Sequence, residues 1–195
     1  MRWDEIIMIP EGPERIQALV VWIQSFFPEG EAPVLVGGSA VEVYTNGTYT
    51  SGDIDCVGYP SLRLLRALRS SGFVQMGKQW VQEEEQVFLE FPSGSLIDEE
   101  ATSYMTRFGP IRILSLEDLI VDRLASLVFW GSQEDGANAA VLYTRYRSKL
   151  NLLRLRNQAR KADVTWALQE LETHLKSPTR RSFSLFLNQV KRGKP

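Results

Sequence analysis

Two short motifs constrain this chain more than any other part of its sequence, and residues 40–52 separate them. Gly37-Gly38-Ser39 follows the apolar run Val34–Val36, and Asp53-Ile54-Asp55 opens a second apolar run. Glycine has no side chain to obstruct a ligand, so a glycine turn can present backbone N–H groups to a phosphate. Two aspartates at positions i and i+2 of a strand point to the same face of the sheet. Their mutual repulsion predicts a cation between them, and Mg²⁺ bound by carboxylates and phosphate oxygens fits that position.

This combination resembles the motif of the nucleotidyltransferase superfamily related to DNA polymerase beta, and in particular the minimal nucleotidyltransferases of bacterial toxin–antitoxin pairs. In that family an apolar residue and a glycine turn precede Asp-x-Asp, and a third acid follows on a later strand. Val36 and the Gly37-Gly38-Ser39 turn match the first part, and Asp53 and Asp55 match the second. The resemblance covers residues 33–92, with a weaker match in a helix that begins near Ser115.

The resemblance implies roles for these residues. Asp53 and Asp55 would hold one or two Mg²⁺ ions, with Mn²⁺ as the alternative metal, that bridge a nucleoside triphosphate. Gly37, Gly38 and Ser39 would bind its β- and γ-phosphates through backbone N–H groups at a helix start and the serine hydroxyl. Without the acid pair, the glycine turn would be an ordinary strand-to-helix connection.

The third acid of the family is expected at Glu90, in the apolar segment 87–91. In the family this acid orients a metal ion and helps to deprotonate the attacking hydroxyl. A carboxylate among apolar neighbours is costly to bury unless it is paired or metal-bound. The alternatives are that Glu90 faces outward on an edge strand, or that Asp98 is the third acid.

A further contact to the nucleotide is expected from Arg123. Family members carry a charged residue, more often lysine, at a comparable point of a helix, so Arg123 could bind a triphosphate oxygen. Equally, Asp122 and Arg123 could form a pair of charges on a solvated helix face.

The pattern of apolar residues predicts an α+β fold, in which a small mixed β-sheet with flanking helices precedes a C-terminal helical bundle. The expected domains are a nucleotidyltransferase-like core over residues 1–110 and a helical region over residues 111–195 that packs on the core. Strands are predicted at 34–36, 53–57, 73–76, 79–82, 86–91 and 111–114. Helices are predicted at 13–27, 39–44, 62–70, 116–130, 134–153, 162–175 and 182–190.

Composition narrows the cellular setting. No apolar run reaches the roughly 18 residues of a membrane span, so no membrane partner is expected. A signal peptide begins with basic residues, whereas this sequence has Asp4 and Glu5 there, so no signal peptide is expected. Cys56, the single cysteine, excludes an internal disulfide bond and fits the reducing cytoplasm, and the single histidine, His174, excludes a His-rich metal site.

Charge is distributed unevenly along the chain. Residues 145–195 contain 13 Lys and Arg against 3 Asp and Glu, whereas residues 1–144 contain 9 against 21. A basic C-terminal region could bind a polyanion such as tRNA, or an antitoxin or other partner protein. Arg147, Arg154 and Lys161 are predicted to share one helical face. Alternatively, the two halves only balance each other's charge within the molecule.

The expected activity is therefore Mg²⁺-dependent transfer of a nucleoside monophosphate, from ATP or another triphosphate, to a hydroxyl. By resemblance, the acceptor is a tRNA end, a partner-protein side chain or a small molecule, in a cytoplasmic setting that could include a toxin–antitoxin pair. The alternative is a catalytically inactive nucleotide- or partner-binding module on the same fold.

Overall fold

A computed structural model describes residues 1–28, 30–92, 94–176 and 179–191. The chain divides into two compact units, Met1–Ser115 and Leu116–Pro195. This division lies after the Pro110 boundary expected from the sequence, because residues 111–114 pair with other strands of the first unit. The architecture is mixed α/β, as the sequence predicts.

The first unit contains four helices and seven strands among its described residues. The helices are α1 (Trp3–Ile7), α2 (Pro13–Gln24), α3 (Gly37–Thr45) and α4 (Leu62–Ser70). The strands are β1 (Val34–Val36), β2 (Ile54–Val57), β3 (Val74–Met76), β4 (Gln79–Gln82), β5 (Val87–Glu90), β6 (Ala101–Thr106) and β7 (Gly109–Leu114).

These strands form one mixed sheet in the order β3-β4-β5-β2-β1-β7-β6. At its centre, β1 runs antiparallel to β2 and parallel to β7, while β2 runs parallel to β5. Leu35 and Cys56 are fully buried there, and Ile23 of α2 is only 1% exposed. The apolar runs on either side of the two motifs thus form the middle of the sheet, which fixes the motifs' positions relative to each other.

Local sequence signals account for the helix ends in this unit. Pro13 is the first residue of α2, where its missing N–H group costs no hydrogen bond. The Ser61 side chain caps α4 by accepting a hydrogen bond from Leu64 N at 3.1 Å. The helix α3 ends at Asn46, which adopts the left-handed conformation with φ of 53°.

The second unit is helical in its described part. It contains α5 (Leu116–Trp130), α6 (Gln133–Tyr146), α7 (Leu152–Lys161), α8 (Thr165–Lys176) and α9 (Arg180–Lys191). A buried carboxylate links two of them: Asp118 of α5 accepts hydrogen bonds from Arg154 Nη2 at 2.5 Å and Gln158 Nε2 at 2.6 Å. Both donors belong to α7, so this network fixes α7 against α5.

The predicted single helix over residues 134–153 is wrong. The chain leaves the helix after Tyr146 and starts α7 at Leu152, with Asn151 as the cap that accepts from Arg154 N at 3.1 Å. The Asn151 backbone N–H also donates to Glu117 Oε1 at 2.6 Å, which holds the break in place. Arg147 is therefore not on the helix that carries Arg154 and Lys161, and the predicted common face of these three residues is not formed.

No helix in the described part of the chain is both long and apolar enough to cross a membrane.

Candidate metal centre

Three carboxylates meet at the point where β2 and β5 run side by side. Asp55 pairs with Glu90 in the parallel register of these strands, and Asp53 directly precedes β2. Each of Asp53, Asp55 and Glu90 offers a carboxylate oxygen, and these three oxygens lie within 4.8 Å of one another. All three side chains are half-buried. Because β5 lies between β4 and β2, Glu90 is not on an edge strand.

The chemistry of this cluster suits a hard divalent cation. Its donors are all carboxylate oxygens, which Mg²⁺ and Mn²⁺ prefer, and it has no thiol or imidazole ligand that would favour zinc. Half-burial leaves room for water or phosphate oxygens to complete the six-fold coordination of Mg²⁺. The residues present therefore fit the metal that the sequence motif implies. Asp98, the other candidate for the third acid, is not a member of this cluster of described residues.

The glycine turn lies directly against one of these acids. Gly37 begins α3 with φ of 66°, a conformation that side chains rarely adopt. A Cβ atom at this position would lie 2.6 Å from Oδ2 of Asp55. The absence of a side chain at Gly37 thus allows the start of α3 to approach the Asp55 carboxylate. Backbone N–H groups at the start of a helix can bind anionic ligands.

The next two residues of the turn are covered by the protein itself. A Cβ atom at Gly38 would lie 2.7 Å from Ser51 Oγ and 3.2 Å from Tyr49 Oη. Ser39 is completely buried, and its hydroxyl donates to Val36 O at 3.1 Å. Ser39 lies within α3 rather than capping it. In this structure its hydroxyl bonds to the backbone, and its contact with a phosphate stays a prediction.

Arg123 lies in α5 of the second unit and has two acidic partners. It forms hydrogen-bonded ion pairs with Asp122 and with Asp135, the latter at 2.6 Å. Burial acts to lower the pKa of Arg123, but Asp122 and Asp135 outweigh it and the pKa is raised. The guanidinium is thus permanently charged and already neutralised by carboxylates, and its contact with a triphosphate stays a prediction.

Glu42 is a buried carboxylate of the first unit that no sequence motif singles out. Its side chain lies on α3 with only 1% of the residue exposed, and Oε2 accepts a hydrogen bond from Ser51 N at 2.7 Å. Burial raises the pKa of Glu42, and the Ser51 hydrogen bond offsets this only in part. Glu42 and Asp53 both line one cavity of about 140 Å³. The available sequence signal was a glutamate between Val41 and Val43 in an apolar helix.

Two solved structures align with this chain over most of its length. A nucleotidyltransferase-like antigenic protein from Paracoccidioides brasiliensis has a similar structure, with a TM-score of 0.59 at 16% sequence identity over 92% of this chain and 95% of that one. JHP933 from Helicobacter pylori aligns over 92% of this chain and 90% of its own, with a TM-score of 0.46 at 14% identity.

No protein-family profile and no curated protein sequence matches the chain. At 16% identity the structural similarity to the Paracoccidioides protein establishes the fold alone. That fold agrees with the one expected from the Gly37-Gly38-Ser39 and Asp53-Ile54-Asp55 motifs. The chain has a nucleotidyltransferase-like fold.

Proposed function

We propose that the first unit is a Mg²⁺-dependent nucleotidyltransferase that transfers a nucleoside monophosphate from a triphosphate to a hydroxyl acceptor. The observation that supports this most strongly is the meeting of Asp53, Asp55 and Glu90 beside the glycine-led start of α3. Divalent-metal ligands next to a phosphate-binding turn are what nucleotidyl transfer requires, because its catalysis consists mostly of positioning and charge neutralisation.

In this proposal the three acids hold the metal and the start of α3 binds the phosphates. When bound, the metal would neutralise phosphate charge and polarise the reacting phosphoryl group. The acceptor oxygen forms a bond to the α-phosphorus while the bond from that phosphorus to pyrophosphate breaks. Glu90, besides orienting the metal, assists removal of the hydroxyl proton.

The acceptor remains one of three classes: a tRNA end, a side chain of a partner protein or a small molecule. Action within a toxin–antitoxin pair and a cytoplasmic location are also parts of this proposal. The lone and buried Cys56 supports the reducing compartment. Among the C-terminal basic residues, Arg154 and Arg156 form ion pairs with Asp118 and Glu172. This pairing reduces the positive charge offered to RNA.

The alternative, a catalytically inactive binding module, predicts that a metal acid is absent or turned away. Asp53, Asp55 and Glu90 instead have oxygens within 4.8 Å of one another, which favours the enzyme.

Calorimetric titration of ATP, GTP, CTP and UTP tests the donor site. We expect at least one triphosphate to bind to wild type in the presence of Mg²⁺ but not in the presence of EDTA. The same triphosphate should not bind to Asp53→Asn/Asp55→Asn. Glu31→Gln, which removes an exposed carboxylate of the same unit, is the matched control and should bind as wild type does. If no triphosphate binds, or if the double variant binds equally well, the proposed donor site is wrong.

A further inference from the structure

The cavity beside the metal centre has a wall that the proposed donor site does not use. It has a volume of about 140 Å³, opens to solvent, and is lined by carboxylates, one arginine and apolar side chains of the first unit. Ile16 and Phe88 belong to the apolar part. Negative charge comes from Glu11, Glu42, Asp53 and Glu85. A water molecule occupies about 30 Å³ of liquid, so the space accommodates about four waters or an organic group of several atoms.

The charge of the arginine in this cavity is neutralised by an ion pair, so it does not favour an anionic ligand. Arg15 donates through Nε to Ile9 O at 2.7 Å and through Nη2 to Ile7 O at 3.0 Å. Its Nη1 lies 3.5 Å from Glu85 Oε2, and both side chains are largely buried. Arg15 and Glu85 therefore neutralise each other, which leaves Glu11, Glu42 and Asp53 as the uncompensated charges; Glu11 is exposed to solvent, whereas Glu42 is buried.

Glu42 is the buried charge that lacks a counter-ion. Its Oε2 accepts one hydrogen bond from Ser51 N, while no described residue donates to Oε1 or forms an ion pair with this carboxylate. A buried carboxylate without a cation is expensive, because it has lost its hydration and gained little in return. The cost falls if a ligand that enters the cavity brings a positive charge.

We propose that this cavity binds the ammonium group of a small amine-bearing alcohol, that Glu42 is its counter-ion, and that this molecule is the hydroxyl acceptor. The acceptor role rests on the proposed nucleotidyltransferase function. A metal ion fits the cavity less well, since Mg²⁺ needs about six oxygen ligands and the walls are partly apolar. A protonated alkylamine fits both kinds of wall, with its charge on Glu42 and its methylene groups against Ile16 and Phe88.

Asp53 connects this cavity to the chemistry. It lines the cavity and is also a member of the metal cluster, so a molecule held at Glu42 lies next to the metal centre. In the reaction the alcohol oxygen bonds to the α-phosphorus, pyrophosphate leaves, and Glu90 assists removal of the hydroxyl proton. The amine itself keeps its proton and serves for recognition only.

Two probes that differ in one functional group test the cavity. The first, 4-amino-1-butanol, carries an ammonium group at neutral pH, and 1,4-butanediol replaces that group with a hydroxyl at the same chain length. Binding is measured by ligand-observed NMR and by the shift in Tm, with neither nucleotide nor Mg²⁺ present. We expect the amino alcohol to bind saturably and to raise Tm, and the diol to bind at least about tenfold more weakly, which is 1.4 kcal/mol.

Variants then assign the binding to Glu42. Glu42→Gln keeps the shape of the side chain and the Ser51 hydrogen bond but removes the charge. It should weaken binding of the amino alcohol at least about tenfold. Glu31→Gln should bind as wild type does. Ile16→Phe reduces the cavity without changing its charge and should also weaken binding, so it decides the question if Glu42→Gln fails to fold.

Equal binding of both probes, or undiminished binding to folded Glu42→Gln, would overturn the proposal. So would the absence of amine binding to wild type, an outcome that leaves RNA, protein or a small molecule without an amine as the acceptor. The amine measurement uses neither nucleotide nor metal, so the two experiments are independent. A negative amine result does not contradict the proposed triphosphate site, and a negative triphosphate titration does not contradict the amine site.

Discussion

At the scale of single residues, Gly37 is constrained twice. Its φ of 66° disfavours any side chain, and a Cβ atom would lie 2.6 Å from Asp55 Oδ2. Gly77, in the turn between β3 and β4, has a similar φ of 63°, but a Cβ atom there would have no neighbour within 4 Å. The two glycines therefore separate the effect of backbone strain from the effect of displacing the Asp55 carboxylate.

We expect Gly37→Ala and Gly77→Ala to lose similar backbone stability, about 1–2 kcal/mol each. Only Gly37→Ala should also weaken divalent-metal binding, because Asp55 must move to admit the methyl group. Urea denaturation measures the first effect and Mn²⁺ titration the second. Equal metal affinity in both variants would show that the close approach of Gly37 to Asp55 is unimportant.

Glu42 makes a second residue-scale prediction, in the dependence of stability on pH. Its pKa is raised above the ordinary value of 4.5, so the folded state binds more protons than the unfolded state just above that pH. The contribution of Glu42 to stability is therefore complete below pH 4.5 and is lost as pH rises through the raised pKa. Glu42→Gln should not show this loss. Its free energy of unfolding should therefore increase relative to that of wild type as pH rises from 4.5 to 7. A constant difference between the two proteins over that range would contradict the assignment.

At the scale of elements, the interaction between α8 and α9 depends on a neutral histidine. His174 Nδ1 lies 2.8 Å from Ser182 Oγ, and its ring packs 5.2 Å from that of Phe183 and 6.1 Å from that of Phe186. Burial lowers the pKa of His174 from its ordinary value of 6.5. An imidazolium would be poorly solvated against these aromatic rings.

This arrangement predicts that acid weakens the second unit. The folded state binds fewer protons at His174 than the unfolded state, so stability is complete above pH 6.5 and is lost as pH falls through and below that value. We expect the free energy of unfolding to decrease from pH 7 to pH 5 in wild type and to decrease less in His174→Phe. Denaturation curves at both pH values measure this, and parallel decreases in the two proteins would exclude His174 as the cause.

The elements also show which parts of the fold the sequence could predict. Strands β1, β2, β4 and β5 were predictable because apolar runs ended at glycines, prolines or acids. The short helix α1 and the edge strand β6 were missed, since α1 has five residues and only one of the six residues of β6 is buried. The break between α6 and α7 was missed because Leu150, Leu152 and Leu153 continue an apolar pattern across it. Only tertiary contacts, such as Asn151 N to Glu117, fix such a break.

The candidate site was predictable to a different extent. Asp53 and Asp55 could be recognised because their spacing on a strand places both acids on one face, and Glu90 because the family resemblance implies a third acid on a later strand. The cavity at Glu42 could not, since it depends on how residues 11–16, 42, 50–54 and 85–88 come together. Whether Arg15 was free or paired likewise depended on the path of residues 7–9, which no local pattern specifies.

At the scale of the whole molecule, Cys56 reports on the opening of the first unit. It is the single cysteine of the chain and is fully buried in β2. Burial raises the pKa of its thiol well above the ordinary value, and the charge of Asp55 adds to this effect. Because the thiolate is the reactive form, native Cys56 should be almost inert.

We expect Ellman's reagent at pH 8 to label native protein at least about a thousandfold more slowly than urea-unfolded protein, because labelling requires the unit to open. The reaction should reach one thiol per chain only as denaturant unfolds the protein. Rapid labelling in native buffer would mean that β2 is accessible, which conflicts with a central strand.

The proposed function depends most on Asp53, Asp55 and Glu90 forming a divalent-metal site, and Mn²⁺ binding followed by electron paramagnetic resonance tests this directly. Wild type should reduce the signal of free Mn²⁺ in a saturable way, and more strongly with ATP present. Asp53→Asn/Asp55→Asn should abolish the effect and Glu90→Gln should weaken it, while Glu84→Gln, at an exposed position before the same strand, should match wild type. If wild type and the double variant leave the same free Mn²⁺ signal, with and without ATP, the three carboxylates are not a metal site and the proposed function loses its basis.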